Sequence, residues 1–185
     1  MPEIDHVSFL LKTDRLELRL FQDSDAQEIS RLMTPGLSRW LATWPENVTQ
    51  TDALKKISSH RKDTENKQSL AVAIVRREDK KFLGTIIVRT SKTTPQLGEI
   101  GYWVGEQYQG KGYLGEILND FVDYTFQYLG ITTLRAGAQL ENKSSFAIME
   151  KMGMKPIGKK SVYVPSRDRD EEVLYYSLTR AMVSV

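Results

Sequence analysis

The sequence predicts a single α/β domain: a mixed, mostly antiparallel sheet of about seven strands with helices on both faces. Three observations carry this expectation. The length of 185 residues suits one core better than two. Stretches in which apolar and polar residues alternate with period two are interleaved with stretches of period 3.6. No internal repeat, low-complexity tract or linker divides the chain, so residues 1–12 read as a leader and 13–185 as the domain.

The elements follow in order. Leu16, Leu18 and Leu20 alternate with Glu17 and Arg19 as a half-buried strand should, starting near Asp14. Ser24-Asp25-Ala26-Gln27 has the form of a capping box, opening a helix to about Met33. Pro35-Gly36 ends that helix, and Thr49 or Thr51 caps the next. The polar run 61–69 reads as helix end and loop, leading into an antiparallel hairpin of Leu70–Val75 and Phe82–Val88. Leu97–Val104 is another strand. Leu114, Ile117, Leu118, Phe121, Val122 and Thr125 then mark one face of a long helix that stops at Gly130. A buried strand over Thr133–Ala138 follows, then a helix with Ser145, Ile148, Met149 and Met152 on one face. Two strands, near 157–163 and 173–178, complete the chain.

Composition narrows the chemistry. Hydrophobic residues make up 40% and charged residues 27%, which fits a chain that buries a core rather than a disordered one. Twenty-six Lys and Arg against 24 Asp and Glu leave a formal charge of +2, so bulk nucleic-acid binding gains no support. There is no cysteine, which excludes disulfides and an acyl-enzyme on a thiol. The two histidines, His6 and His60, stand far apart, so no metal site is expected, and His60 reads as a solvated helix residue. With no secretory leader and no run of 18 apolar residues, the expected compartment is the cytoplasm.

The most informative stretch is Gln107-Tyr108-Gln109-Gly110-Lys111-Gly112-Tyr113-Leu114-Gly115, between a strand and a long helix. Glycines there let the backbone approach a ligand and adopt positive φ, while free amides at the positive end of the helix dipole favour a phosphate. The Gly-Lys-Ser/Thr ending of a P-loop is missing, and the spacing is not that of a dinucleotide fingerprint.

This loop resembles the signature Gln/Arg-x-x-Gly-x-Gly/Ala of the GNAT superfamily of N-acetyltransferases, with Gln107, Gly110 and Gly112 in the matching positions. Gly98-Glu99-Ile100-Gly101-Tyr102-Trp103-Val104 resembles the family's fourth strand. Asn142-Lys143-Ser144-Ser145 with Met149-Glu150-Lys151-Met152-Gly153-Met154 resembles its C-terminal helix motif. Together with Arg15-Leu16-Glu17-Leu18-Arg19 and Trp44-Pro45, these are similar to the branch containing ribosomal-protein N-terminal (serine/alanine) acetyltransferases.

The resemblance implies acetyl-CoA as co-substrate and a primary amine as acceptor, with direct attack of the amine on the thioester. Such an amine is largely protonated near neutral pH, so a base or a water chain is needed. Glu99 is the candidate, its pKa raised by desolvation in the cleft. Amides of Tyr102, Trp103 and Val104, freed by a bulge, would hold the pantetheine arm and the oxyanion. Gln107, Gln109, Gly110, Lys111, Gly112, Tyr113 and Gly115 would take the pyrophosphate. Many family members carry a tyrosine where this chain has Met149, so Ser145, one turn earlier, is assigned the proton to the leaving thiolate, with Asn142 capping its helix and bonding CoA. Trp40 and Trp44 fall where the family builds its acceptor wall, and the charged loop 163–172 where it would form the opposite rim. The favoured acceptor is a protein N-terminus. A polyamine, amino sugar or antibiotic, and a non-catalytic acyl-CoA-binding regulator, are the alternatives, and a homodimer is left open.

Overall fold

The computed structural model describes residues 9–180. Eight strands form one sheet in the order β1-β2-β3-β4-β5-β6-β8-β7. They are β1 Phe9–Lys12, β2 Leu16–Arg19, β3 Ser69–Arg76, β4 Phe82–Thr90, β5 Leu97–Val104, β6 Thr133–Gln139, β7 Lys155–Val164 and β8 Arg169–Thr179. The helices are α1 Asp25–Leu32, α2 Pro35–Ser38, α3 Gln50–Glu65, α4 Tyr113–Leu129 and α5 Lys143–Lys151. Every neighbouring pair is antiparallel except β5 and β6. In β3 all residues from Ser69 to Val75 are buried, on both faces of the pleat, because helices cover both sides of the sheet there. At the other end β7 is open to solvent along most of its length.

Several expectations need correction. The eighth strand is β1: residues 9–12, read as leader, pair antiparallel with β2, while residues 1–8 lie outside the described residues. The box at Ser24 does not form, because Ser24 makes no capping bond with its side chain. Asp25 acts instead. Its carboxylate accepts from the Gln22 amide at 2.8 Å and from both terminal nitrogens of Arg19 at 2.8 Å, a bidentate pair that is almost wholly buried. Pro35 begins a helix rather than only ending one: it occupies the first turn of α2, where a missing N–H costs nothing, and Thr34 caps it. Thr49 and Asp52 make the reciprocal capping box of α3. That helix runs to Glu65, through the segment read as loop, because its amphipathic face continues under β3.

The element that positions the site is the parallel pair. β4 and β5 pair over seven residues without a register shift, and so do β6 and β8, but β5 and β6 meet only at Leu97↔Thr133, Gly98↔Leu134 and Glu99↔Arg135. Beyond Glu99 they separate. Gly98 makes the close approach at the vertex, since a Cβ there would stand 2.6 Å from Ile131 and 2.9 Å from Val88. Among the described residues no helix is long and apolar enough to cross a membrane.

Removing the carboxylate that anchors α1 should be costly, because it strands a buried guanidinium. Asp25→Ala is expected to lose about 3–5 kcal/mol, read as a lower urea midpoint at unchanged m-value.

Candidate active site

The wedge between β5 and β6 is a cleft of about 720 Å³. Its β5 wall offers backbone groups. Gly105 donates to the Leu83 carbonyl at 2.9 Å, so in the ladder that continues toward Glu99 the residues Trp103, Gly101 and Glu99 take the positions bonded to β4. The alternation turns N–H and C=O of Ile100, Tyr102 and Val104 away from β4, into the wedge. The Val104 carbonyl, which accepts from Gln109 Nε2 at 3.2 Å, has this direction. These groups are freed by divergence of the strands. The bulge expected in β5 is absent, since its register with β4 is continuous.

At the wide end lies the glycine loop. Gly110 and Gly112 have φ of 72° and 76°, and a Cβ on Gly110 would meet nothing within 4 Å. Residues 110–115 donate no hydrogen bond to the rest of the described chain, and Gly112 has no side chain with which to cap α4. Arg15 holds the loop from behind: its Nη1 donates to the Lys111 carbonyl at 3.1 Å, and its guanidinium pairs with Glu116 at 2.6 Å and stacks 4.8 Å from the Tyr113 ring centroid. With the carbonyl drawn backward, the loop is an open cradle for an anion.

Where the wedge narrows, the Tyr102 and Ser145 hydroxyls lie 3.1 Å apart. Burial pushes the Tyr102 phenol up to about 12, against the opposing effect of its bond to Ser145, so the group is a proton carrier at neutral pH. Asn142 accepts from the Ser145 amide at 3.2 Å, which fixes the first turn of α5 and aims Ser145 inward. Glu99, at the vertex, is half exposed and ion-paired with Arg135. The desolvation expected of it is therefore missing.

The far wall is aromatic. Trp44 is buried and packs edge-on against Trp103, with centroids 6.2 Å apart, and Trp40 lines the cleft beneath the Arg39 guanidinium. A clasp holds this wall to the β7–β8 turn. Arg167 donates to the Ser38 and Leu41 carbonyls, both at 3.2 Å, and pairs with Glu171 at 2.8 Å, while Gln139 donates to Arg39 and Glu171. The Arg167 guanidinium, with bonds from Gln139 and Arg169, holds the Glu171 carboxyl down at about 2. The expected 163–172 loop is thus a short turn between strands, and its charges are structural.

His60, read as a solvated residue, is instead partly buried in the cleft wall and stacked on Phe21 at 5.8 Å. Burial, then Arg89 and Lys56, push its imidazole down to about 4, so it is neutral near pH 7. Gln107 and Lys111 do not line the cleft, whereas Gln109, Gly110, Gly112, Tyr113, Gly115 and Asn142 do. Lys151 takes the place foreseen for Lys111: its ammonium would stand 2.7 Å from a Cβ on Gly115, beside the cradle. No local pattern gives Lys151 or His60 a place in the cleft, or Arg15 its place behind the glycine loop, because each comes from a distant element. Five buried polar side-chain atoms among the described residues lack a partner, and four of them, on His60, Trp103, Arg135 and Gln139, belong to cleft-lining residues. Such groups suit a bound ligand. Among the described residues no group of three or more His, Asp or Glu is placed to hold a metal ion.

Residues 15–155 match the family model described as an acetyltransferase (GNAT) domain. The chain belongs to the GNAT acetyltransferase family. It is 26% identical over 173 residues to the uncharacterized N-acetyltransferase YoaA of Bacillus subtilis (strain 168), covering 92% of this chain and 97% of that protein. In fold, this acetyltransferase is similar to a Salmonella typhimurium acetyl transferase that modifies the N-terminal serine of 50S ribosomal subunit protein L7/L12. The TM-score is 0.81 at 16% identity, covering 94% of this chain and 100% of that one. It is also similar to the microcin C7 self-immunity acetyltransferase MccE in complex with acetyl-CoA and AMP. There the TM-score is 0.80 at 21% identity, covering 91% and 94%. At these identities the structural likeness speaks for the fold. The co-substrate of this GNAT enzyme is acetyl-CoA, and the anion cradle, the outward strand amides and the unpartnered wall groups fit it.

Because Glu171 is held below the ordinary carboxylate range, its contribution to stability is present above about pH 4.5 and is lost as pH falls toward 2. Glu171→Gln should therefore show a flatter loss of stability than wild type across that window in acid unfolding followed by circular dichroism.

Proposed function

We propose that this acetyltransferase acetylates the N-terminal amine of a polypeptide, and that the donor and chemistry residues are those the cleft brings together. The observation that carries the reading is the divergence of β5 and β6, which joins an anion cradle, a row of free strand amides and a half-buried hydroxyl pair in one wedge. Acetyl-CoA supplies an activated acyl group. Amides from Gly110 to Gly115 and the Lys151 ammonium bind its phosphates, and outward groups of Ile100, Tyr102 and Val104 align its extended arm and stabilise negative charge on the acyl oxygen. Glu99, its charge held in place by Arg135, takes the amine proton through solvent. Ser145 donates to the leaving sulfur and is reprotonated from Tyr102, which regains its proton from solvent as Glu99 releases there the proton taken from the amine.

Two observations support a polypeptide over a small polycation. The unpartnered groups of Trp103, His60 and Gln139 suit the amide donors and acceptors of an extended main chain. The charged side chains lining the cleft are Arg89, Arg135, Arg167 and Lys151 against Glu99 and Glu171, a surplus of positive charge that opposes polyamines and amino sugars. The Salmonella neighbour's modification of an N-terminal serine agrees with this reading.

Thiol release from acetyl-CoA with peptides of free and blocked N-termini tests the acceptor: turnover only with free N-termini supports it, and turnover with polyamines instead overturns it. Gly112→Glu places a carboxylate in the cradle and should abolish acetyl-CoA binding in calorimetry. Ser145→Ala and Glu99→Gln should each lower turnover about 100-fold at little cost in donor affinity. The Glu99→Gln defect should shrink as pH rises above the acceptor's pKa of about 8, where the amine is already neutral.

A further inference from the structure

The vertex of the cleft holds two guanidiniums and one carboxylate. Glu99 lies across from Arg89 in the β4–β5 ladder and across from Arg135 in the β5–β6 pair. Its carboxylate goes to Arg135. Among the described residues the Arg89 side chain has no hydrogen bond or ion pair, and Arg135 Nε is buried with no acceptor. Arg89 is an exposed residue on the cleft lining, yet the protein packed around its guanidinium desolvates it enough to lower its pKa. No compensating acid is near enough to pair: the nearest electrostatic support comes from Asp63 and Glu99 at longer range. A cation held in a partly desolvated wall beside an unpaired N–H is a site in want of an anion.

Its position relates it to the reaction. Thr85, Ile87 and Arg89 point to one face of β4, opposite Trp103, Gly101 and Glu99 of β5, and all six line the cleft. The Arg89–Glu99 rung lies two residues, about 7 Å, from the Ile87–Gly101 rung beside the outward amides. One residue of extended chain plus a carboxylate side chain spans that distance.

We propose that Arg89, assisted by Arg135 Nε, binds a carboxylate carried by the acceptor itself, so that the preferred acceptor is an amine followed within one or two residues by Asp or Glu. This rests on the polypeptide reading and narrows its substrate class. Arg89 is then a specificity-determining residue, binding the acceptor away from the reacting atoms.

The test compares peptides that begin Ser-Asp, Ser-Asn and Ser-Lys and are otherwise identical, alongside small amines with and without a carboxylate. For each, kcat/KM is measured, and binding to the enzyme–CoA complex is measured by calorimetry, which reads preference without turnover. The expected result is a preference of at least about ten-fold for the acidic peptide over the neutral one. It should be lost in Arg89→Gln, partly retained in Arg89→Lys and shifted toward Ser-Lys in Arg89→Glu, with acetyl-CoA affinity unchanged throughout. Equal use of the three peptides by wild type, or an acidic preference that survives Arg89→Gln, overturns the inference. Turnover confined to small amines overturns the polypeptide reading. In that case a carboxylate preference abolished by Arg89→Gln still upholds the role of Arg89, and its absence removes it.

Discussion

Everything functional in this molecule depends on two strands parting company after three residue pairs. A sheet ordinarily satisfies its backbone groups strand against strand, and an interruption in its middle leaves them exposed to whatever enters. Here β4 and β8 each hold one lip of the opening over a full seven-residue ladder, so the lips stay straight while the gap between them widens. Twist of the two half-sheets carries the lips apart. The vertex stays shut because Gly98 admits Ile131 and Val88 where any side chain would collide.

Rigid supports surround that gap, and they explain why so few residues need to be special. The glycine loop presents amides forward because Arg15, Thr13 and Glu116 tie it from the rear. Ser145 points inward because Asn142 sets the first turn of its helix. The tryptophan wall is fastened to the β7–β8 turn by Arg167 and Glu171, so this side of the cleft is bounded by side chains from both ends of the sequence. Preorganised donors of this kind need no rearrangement when charge develops, which is where their advantage over solvent lies.

Charge at the acceptor side works by field as well as by contact. His60 registers that field directly, its imidazole held neutral by burial and by nearby cations. Under the proposed function, the same environment would disfavour a protonated amine and ease the loss of the proton that precedes attack. The pairing of Glu99 with Arg135 fixes where its carboxylate stands, which is a different arrangement from the desolvated base that the family resemblance implied.

Local pattern alone determined the order of elements from Leu16 onward except the one-turn helix α2, together with the glycine loop before α4, the Asn142 cap and the family itself, because period, turn residues and short motifs act within a few positions of one another. It could not place Lys151 beside Gly115, Arg15 behind Lys111 or His60 in the cleft wall, nor foresee that β1 pairs on the edge and that Asp25 rather than Ser24 anchors the start of α1, by accepting from Gln22 and Arg19. Those depend on which strands neighbour one another and how far their pairing runs. Such facts are decided by long-range packing, where a single unpaired guanidinium at residue 89 becomes visible only once its cross-strand carboxylate is seen to face the other way.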